Sequence, residues 1–132
     1  MPRLATQVLE FTLLAATSIF FAHHARELRL PGFFVDVLGF RPEWGDGANW
    51  QALARDDVRL MISYCPEAPA PAETGDHCYF GYLEVDDVDA LHAEITGRGA
   101  IIRRSPADQP WGMREMAVAT PDGHRIMIGQ QI

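Results

Sequence analysis

The segment over residues 108–130, DQPWGMREMAVATPDGHRIMIGQ, constrains the fold more than any other part of the chain. The run Thr120-Pro121-Asp122-Gly123 predicts a tight turn, because Pro fixes φ at the first corner and Gly accepts the left-handed position. Apolar residues alternate on both sides of the turn, which predicts a β-hairpin with one face in the core. The residues of that face are Met116, Val118, Ile126 and Ile128. The opposite face has a mixed composition typical of a cavity lining, and its residues are Glu115, Ala117, Arg125, Met127 and Gly129.

The length of 132 residues fits one domain, or two small halves that share a core. Apolar residues make up 48% and charged residues 22%, which is typical of a soluble globular protein. The formal net charge of −7 argues against a nucleic-acid partner and favours cationic ones. All 11 basic residues are Arg, so the chain offers no lysine for a Schiff base or a general base.

Cysteine usage and the N-terminus bear on localisation. Cys65 and Cys78 have no CxxC spacing, which favours two free thiols in an intracellular protein over a disulfide. Residues 8–22 are apolar apart from Glu10, so a signal peptide is the alternative interpretation. The run is too short and interrupted to span a membrane, and its end is needed as a strand. We therefore expect a cytoplasmic protein with no membrane partner.

The chain divides at a Pro-, Ala- and acid-rich segment, CPEAPAPAETGDH, which is typical of a linker. The expected organisation is an N-terminal extension over residues 1–16, a first module over 17–64, a linker over 65–77 and a second module over 78–132. The two modules together make one compact domain.

The second module shows its plan clearly. Residues 78–85 predict a strand, and Asp86 or Asp87 caps a helix that runs to about Arg98, with Gly99 just beyond its end. Ile101 and Ile102 predict a short strand, residues 105–112 a loop, and the hairpin follows. The order is β-α-β-β-β.

The first module repeats this order less clearly. We expect a strand over residues 17–21, a helix over 25–38, a short strand over 40–44, and paired strands over 50–54 and 58–63. Pro31-Gly32 falls inside the expected helix, where Pro costs about 3 kcal/mol. A helix that starts at Pro31 is the alternative.

Two such modules, with VDVLGF ending the first helix and PWGMRE and TPDG in the last hairpin, resemble the vicinal-oxygen-chelate superfamily, in its glyoxalase/bleomycin-resistance/dioxygenase group. The likeness covers residues 17–130 and is greatest to bleomycin-resistance-type proteins. The other anchors are Gly39-Phe40 and Val85-Asp86-Asp87. The resemblance implies an α+β fold whose modules form half-barrels of a curved mixed sheet around a concave pocket. It also implies a homodimer, in which the modules of two chains are often swapped.

Enzymes of this superfamily mostly hold a divalent metal with His and Glu on facing strands. Alignment on the anchors places the corresponding positions at Met127, Phe80, Met61 and near Ile19, all apolar. Divalent ions need oxygen, nitrogen or thiolate ligands, so we expect neither a metal nor another cofactor. A metal site rebuilt elsewhere from His and Glu is the alternative. The histidines are His23, His24, His77, His92 and His124.

The expected ligand site is an aromatic and thioether-lined pocket on the concave side. Trp111, between Pro110 and Gly112, lies at its mouth, where packing alone explains a Trp poorly. The expected ligand-binding residues are Trp111, Phe80, Tyr82, Met61, Met127, Trp50, Glu115 and Phe34. For Phe34, as for Phe33, core packing is an equally good interpretation. The sign of the ligand charge is open: the acidic candidates are Glu84 and Glu115, and the basic ones Arg59 and Arg114.

Three functions follow from this pattern. The leading hypothesis is a dimeric binding protein that sequesters an aromatic or cationic small molecule without transforming it, and so has no catalytic residues. The first alternative is a superfamily enzyme, a lyase, isomerase or dioxygenase, with a non-standard metal site or with Glu115 or His124 as a base. The second alternative is a vestigial pocket in a protein that associates with a partner. No GxSxG motif or phosphate-binding glycine loop is present.

Overall fold

The computed structural model describes residues 2–5, 18–22, 29–46, 50–64, 79–121 and 123–132. The first sheet has the order β2-β5-β4-β3 and consists of β2 (Ser18–Ala22), β3 (Arg41–Gly45), β4 (Trp50–Arg55) and β5 (Val58–Tyr64). The second has the order β1-β6-β9-β8-β7 and consists of β1 (Leu4–Ala5), β6 (Tyr79–Val85), β7 (Ile101–Gln109), β8 (Met113–Ala119) and β9 (Arg125–Gln131). Helix α1 (Arg29–Asp36) follows β2, and α2 (Val88–Gly97) follows β6.

Each module has its first and last strands side by side and parallel. In the first module β2 pairs with β5, and in the second β6 pairs with β9, while the other neighbours within each module are antiparallel. Both modules have the order β-α-β-β-β, so the predicted α+β fold of two tandem modules is confirmed.

One hydrophobic cluster joins the two modules. It draws on α1 and β4 of the first module and on α2, β8 and β9 of the second. The residues of this core that are less than 2% exposed are Phe34, Leu53, Val58, Leu60, Val88, Leu91, Ile95, Met116, Val118, Ile126 and Ile128. The predicted core face of the last hairpin is therefore confirmed. Neither described helix is long and apolar enough to cross a membrane.

The local signals of the second module act as predicted. Asp87 is the N-cap of α2, and its side chain accepts a hydrogen bond from the backbone N–H of Ala90. Gly99 follows the helix with φ +88°, the left-handed conformation that ends helices. In the last turn, the N–H of Gly123 donates to the carbonyl of Thr120 at 3.0 Å, while Asp122 lies outside the described residues.

Two predicted boundaries are wrong. The described part of helix α1 (Arg29–Asp36) already includes Arg29 and Leu30, so the alternative start at Pro31 is wrong. Residues 25–28, where the longer helix was expected to begin, lie outside the described part. Strand β7 continues to Gln109, across the region predicted as a loop, because it pairs with β8 as far as Met113.

The N-terminal segment contributes a strand to the second module. Leu4 pairs with Val85 of β6, and its N–H donates to the carboxylate of Asp56 in the β4–β5 turn. The N–H of Arg3 donates to Asp86. Residues 3 and 4 thus tie a turn of the first module to the end of a strand in the second.

Candidate functional site

The candidate site lies on the far face of the second sheet, by which we mean the face turned away from α2. Side chains alternate along β8 and β9, and those at Met116, Val118, Ile126 and Ile128 enter the core. The intervening positions therefore lie on the far face. They are Glu115, Ala117, Ala119, Arg125, Met127 and Gly129.

One carboxylate oxygen organises an end of this face. The Tyr82 hydroxyl donates to Oε1 of Glu115 at 2.9 Å, and the indole Nε1–H of Trp111 donates to the same oxygen at 3.0 Å. Glu115 is only 8% exposed. The structure thus brings together three residues that were predicted to bind ligand: Glu115 of β8, Trp111 of the β7–β8 turn and Tyr82 of β6.

A glycine makes room for the tyrosine. Glu84 pairs with Gly129 on the parallel neighbour β9, and Tyr82 pairs two positions earlier with Met127. A Cβ on residue 129 would lie 2.7 Å from Cζ of Tyr82 and would clash with its hydroxyl. Only glycine therefore lets the phenol ring lie across β9 and reach Glu115.

The phenol of Tyr82 is held in its protonated form. Burial raises its pKa, and the hydrogen bond to Glu115 and the charges of Glu115 and Glu84 raise it further. Because both carboxylates oppose a phenolate, Tyr82 acts at neutral pH as a donor and not as a base.

Trp111 combines exposure with fixed orientation. It is 63% exposed and lies in the β7–β8 turn, in which the N–H of Gly112 donates to the carbonyl of Gln109. Gly112 has φ +80°, which keeps this turn tight. The hydrogen bond to Glu115 then fixes the ring, so one indole face is presented to solvent beside a buried carboxylate.

Two residues of the far face were not predicted. Arg104 of β7 donates through Nη2 to the hydroxyl of Tyr79 at 2.9 Å and to Sδ of Met127 at 3.3 Å. An irregularity between Tyr79 and Gly81 shifts the register of β6 against β9. Strict alternation predicts Phe80 on this face, and the side chain of Phe80 is not among those described.

The first sheet carries the other predicted lining residues. Leu53 of β4 and Leu60 of β5 point into the core. Because side chains alternate along a strand, Trp50 of β4 and Met61 of β5 lie on the opposite face of the sheet. Trp50 contacts the exposed Trp44 edge to face, with ring centroids 4.5 Å apart. Among the described residues, no hydrogen bond or ring contact joins Trp50 or Met61 to the Trp111 end of the second sheet.

Two candidates lie elsewhere. Phe34 is fully buried in the core, with its ring centroid 5.5 Å from that of Phe33 and 5.6 Å from that of Phe40, so packing is its role here. Arg114 lies on the helix side of β8, where it pairs with Asp89 at 2.8 Å and not with the far face. Its hydrogen bonds lower the pKa of Asp89. Phe34 therefore packs in the core, and Arg114 lies on the helix side of β8 and not on the far face.

The described residues contain no group of three His, Cys, Asp or Glu side chains that could hold a metal ion. His23, His24, His77, Cys65 and Cys78 lie outside the described part, so that finding does not extend to them. His124, a candidate base, is 8% exposed, and its backbone N–H donates to the Thr120 hydroxyl at the end of the hairpin turn.

Comparisons with known proteins agree with the resemblance predicted from the sequence anchors. A family model described as "Glyoxalase/Bleomycin resistance protein/Dioxygenase superfamily" matches residues 6–128. Uncharacterized proteins of Mycobacterium bovis and Mycobacterium tuberculosis are each 31% identical over 84 residues, or 64% of this chain. The aligned part spans about half the length of these curated relatives, 54% and 48% respectively.

Solved structures share the fold. The bleomycin-binding protein of Streptomyces verticillus, complexed with copper(II)-bleomycin, is 27% identical with a TM-score of 0.66, covering 89% of this chain and 96% of that one. A bleomycin resistance determinant encoded on transposon Tn5 is 26% identical with a TM-score of 0.69, covering 88% and 96%. An antibiotic binding protein from Streptomyces sp. CB03234 is 25% identical with a TM-score of 0.67, covering 92% and 100%.

Proposed function

The chain belongs to the glyoxalase/bleomycin resistance protein/dioxygenase superfamily, and we propose that it binds an aromatic, cationic small molecule without transforming it. The ligand stacks on the exposed indole of Trp111 and places its positive charge beside Glu115. The pocket needs no metal, and Tyr82 and Met127 line it next to these two residues.

The observation that carries this proposal is the hydrogen bond from an exposed Trp to a buried carboxylate. A freely rotating surface indole loses conformational entropy when it stacks on a ligand, and an indole already held by its N–H loses less. Stacking contributes about 0.5–1.5 kcal/mol per ring beyond area burial, and a cation over the ring adds to it. The net charge of −7 attracts such a ligand from solution.

The surroundings of the Glu115 carboxylate support a cationic ligand. Its hydrogen-bond partners among the described residues, Tyr82 and Trp111, are both neutral donors. A buried carboxylate without a cation is costly, and a ligand cation would offset that cost. The likeness to proteins that bind bleomycin or another antibiotic supports the same ligand class.

We further propose that the pocket is completed by a second copy of the chain, as the family resemblance implies. The first-sheet face with Trp50, Trp44 and Met61 would then lie opposite Trp111 of the other copy. Sedimentation velocity tests this part: a dimer at micromolar concentration supports it, and a monomer that still binds ligand contradicts it.

Titration calorimetry with bleomycin, with and without copper(II), tests ligand binding. We expect saturable binding to the wild-type protein and a 10- to 100-fold weaker association with Trp111→Ala, since loss of a central Trp costs about 1.4–2.8 kcal/mol. Ile101→Ala is the matched control, because Ile101 is an exposed apolar residue of the same module that lines a groove beside α1. Equal affinity of Trp111→Ala and wild type, or binding by neither, contradicts the proposal.

A further inference from the structure

Besides Glu84 and Arg125, the far face of the second sheet carries Glu115 and Arg104, two opposite charges that do not pair with each other. Among the residues that the structure describes, Glu115 accepts hydrogen bonds only from the neutral donors Tyr82 and Trp111. Arg104 donates to a phenol oxygen and a thioether sulfur, which are both neutral acceptors, and no described carboxylate lies within ion-pair distance of it. A protein that needed these charges only for stability would bring them together, because each offsets the desolvation of the other.

Strand register gives the spacing between the backbone rows that carry Arg104 and Glu115. Arg104 is opposite Ala117, which is opposite Met127, and this row crosses three strands. Glu115 and Gly129 form the row two residues further along. Two residues along a strand span about 7 Å, so the two backbone rows are separated by roughly the length of one aromatic ring with its substituents.

The small side chain of Ala117 explains how the guanidinium crosses the face. Arg104 starts on β7, yet it reaches Met127 on β9 and Tyr79 on β6. Its path runs over β8 at Ala117, where a larger residue would stand in the way. Tyr79 and Met127 then hold the planar group over the sheet, although Arg104 as a whole is exposed. A guanidinium fixed in this way offers its remaining N–H groups to a planar oxyanion.

We propose that Arg104, positioned by Tyr79 and Met127, forms a carboxylate subsite, so that the ligand is a zwitterion with its aromatic cation at Trp111 and Glu115 and its carboxylate at Arg104. This inference rests on the proposed binding function and narrows its ligand class. A zwitterion also suits a protein with a net charge of −7, which repels simple anions.

The test uses three related probes in NMR titrations of the full chain. Benzamidine carries the aromatic cation alone, 4-amidinobenzoate adds a carboxylate, and the methyl ester of 4-amidinobenzoate keeps the size without the negative charge. Binding of benzamidine tests the proposed function, and the ratio of ester to acid dissociation constants tests the subsite. We expect the acid to bind wild type about fivefold more tightly than the ester, as suits one partly exposed ion pair.

Variants assign that ratio to Arg104. Arg104→Gln should reduce that ratio to about one, whereas Arg103→Gln removes the same charge one residue away and should preserve the ratio. Tyr79→Phe keeps the charge of Arg104 but removes the hydroxyl that positions it. This variant should lower the ratio of ester to acid dissociation constants to about half of its wild-type value. Equal binding of acid and ester to wild type overturns the inference while leaving benzamidine binding intact. The inference is also overturned if Arg104→Gln changes the oligomeric mass and leaves the ratio of ester to acid dissociation constants unchanged. The guanidinium would then contact a second copy of the chain and not a carboxylate of the ligand.

Discussion

The guanidinium of Arg55 lies 3.4 Å from the carboxylate of Glu94, and this ion pair crosses from the first module to the second. Arg55 is 4% exposed and also donates to the carbonyl oxygens of Leu38 and Pro2. One side chain thus joins a strand, the end of α1, the N-terminal segment and α2. The contact therefore links the two modules beside the hydrophobic cluster that joins them.

We predict that Arg55→Met lowers the free energy of unfolding by about 3 kcal/mol, because it leaves two carbonyl groups without their donor and Glu94 with Arg98 as its remaining ion-pair partner. Urea denaturation measures this. Arg3→Gln is the control, since Arg3 and Asp57 form an exposed ion pair whose loss should cost less than about 1 kcal/mol. Equal losses for the two variants would contradict a linking role for Arg55.

The raised pKa of Tyr82 predicts a stability change at alkaline pH. An unfolded tyrosine ionises near pH 10, so the unfolded chain loses a proton there while folded Tyr82 keeps its own. The contribution of Tyr82 to the free energy of unfolding is full below about pH 10 and declines as the pH rises toward the pKa of Tyr82 in the folded protein. Urea denaturation between about pH 8 and pH 11 measures this. The free energy of unfolding of the wild type should decline more with pH than that of Tyr82→Phe. An identical decline in both proteins would exclude the effect.

The contact between Tyr82 and Gly129 predicts that Gly129→Ala is destabilising. The new methyl group would displace the phenol from Glu115, and overpacking of this kind costs about 1–3 kcal/mol. Gly97→Ala is the matched control, because no atom lies within 4 Å of its Cβ position and Ala favours a helix. Urea denaturation should separate the two variants. A neutral Gly129→Ala would mean that the tyrosine is not held there.

Metal content distinguishes the binding hypothesis from the enzyme alternative. We predict much less than one nickel, zinc, manganese or iron ion per chain after gentle purification, because the aligned ligand positions Met61 and Met127 offer only thioethers. Elemental analysis of the full-length protein measures this. One equivalent of such a metal would favour a superfamily enzyme and a ligand set outside the described residues.

The sequence predicted the elements whose signals are local. Helix α2 follows from Asp87 and Gly99, and the last hairpin follows from its turn and its alternating apolar residues. The second half of β7 was predicted as a loop because Ser105, Pro106 and Asp108 disfavour strands. Pairing with β8 overrides that preference, and β7 is an edge strand with two register shifts, where a Pro without an N–H is tolerated.

The candidate site was predicted only in part, for related reasons. Alternation placed Glu115 and Met127 on one face, and the glycine-flanked loop marked Trp111. The hydrogen bond between Trp111 and Glu115 depends on how the β7–β8 turn folds back on β8, and residue spacing does not predict that. Tyr79 and Arg104 were missed because register shifts in β6 and β7 break the period of two on which the prediction rests.

The indole N–H resonances of the three tryptophans test the central claim most directly, because each reports on one ring. They are followed by ¹H–¹⁵N NMR while benzamidine is added, with assignment from Trp111→Phe. We predict a saturable shift of the Trp111 resonance that is abolished in Glu115→Leu. A Trp111 resonance that stays unmoved while benzamidine binds would contradict the account.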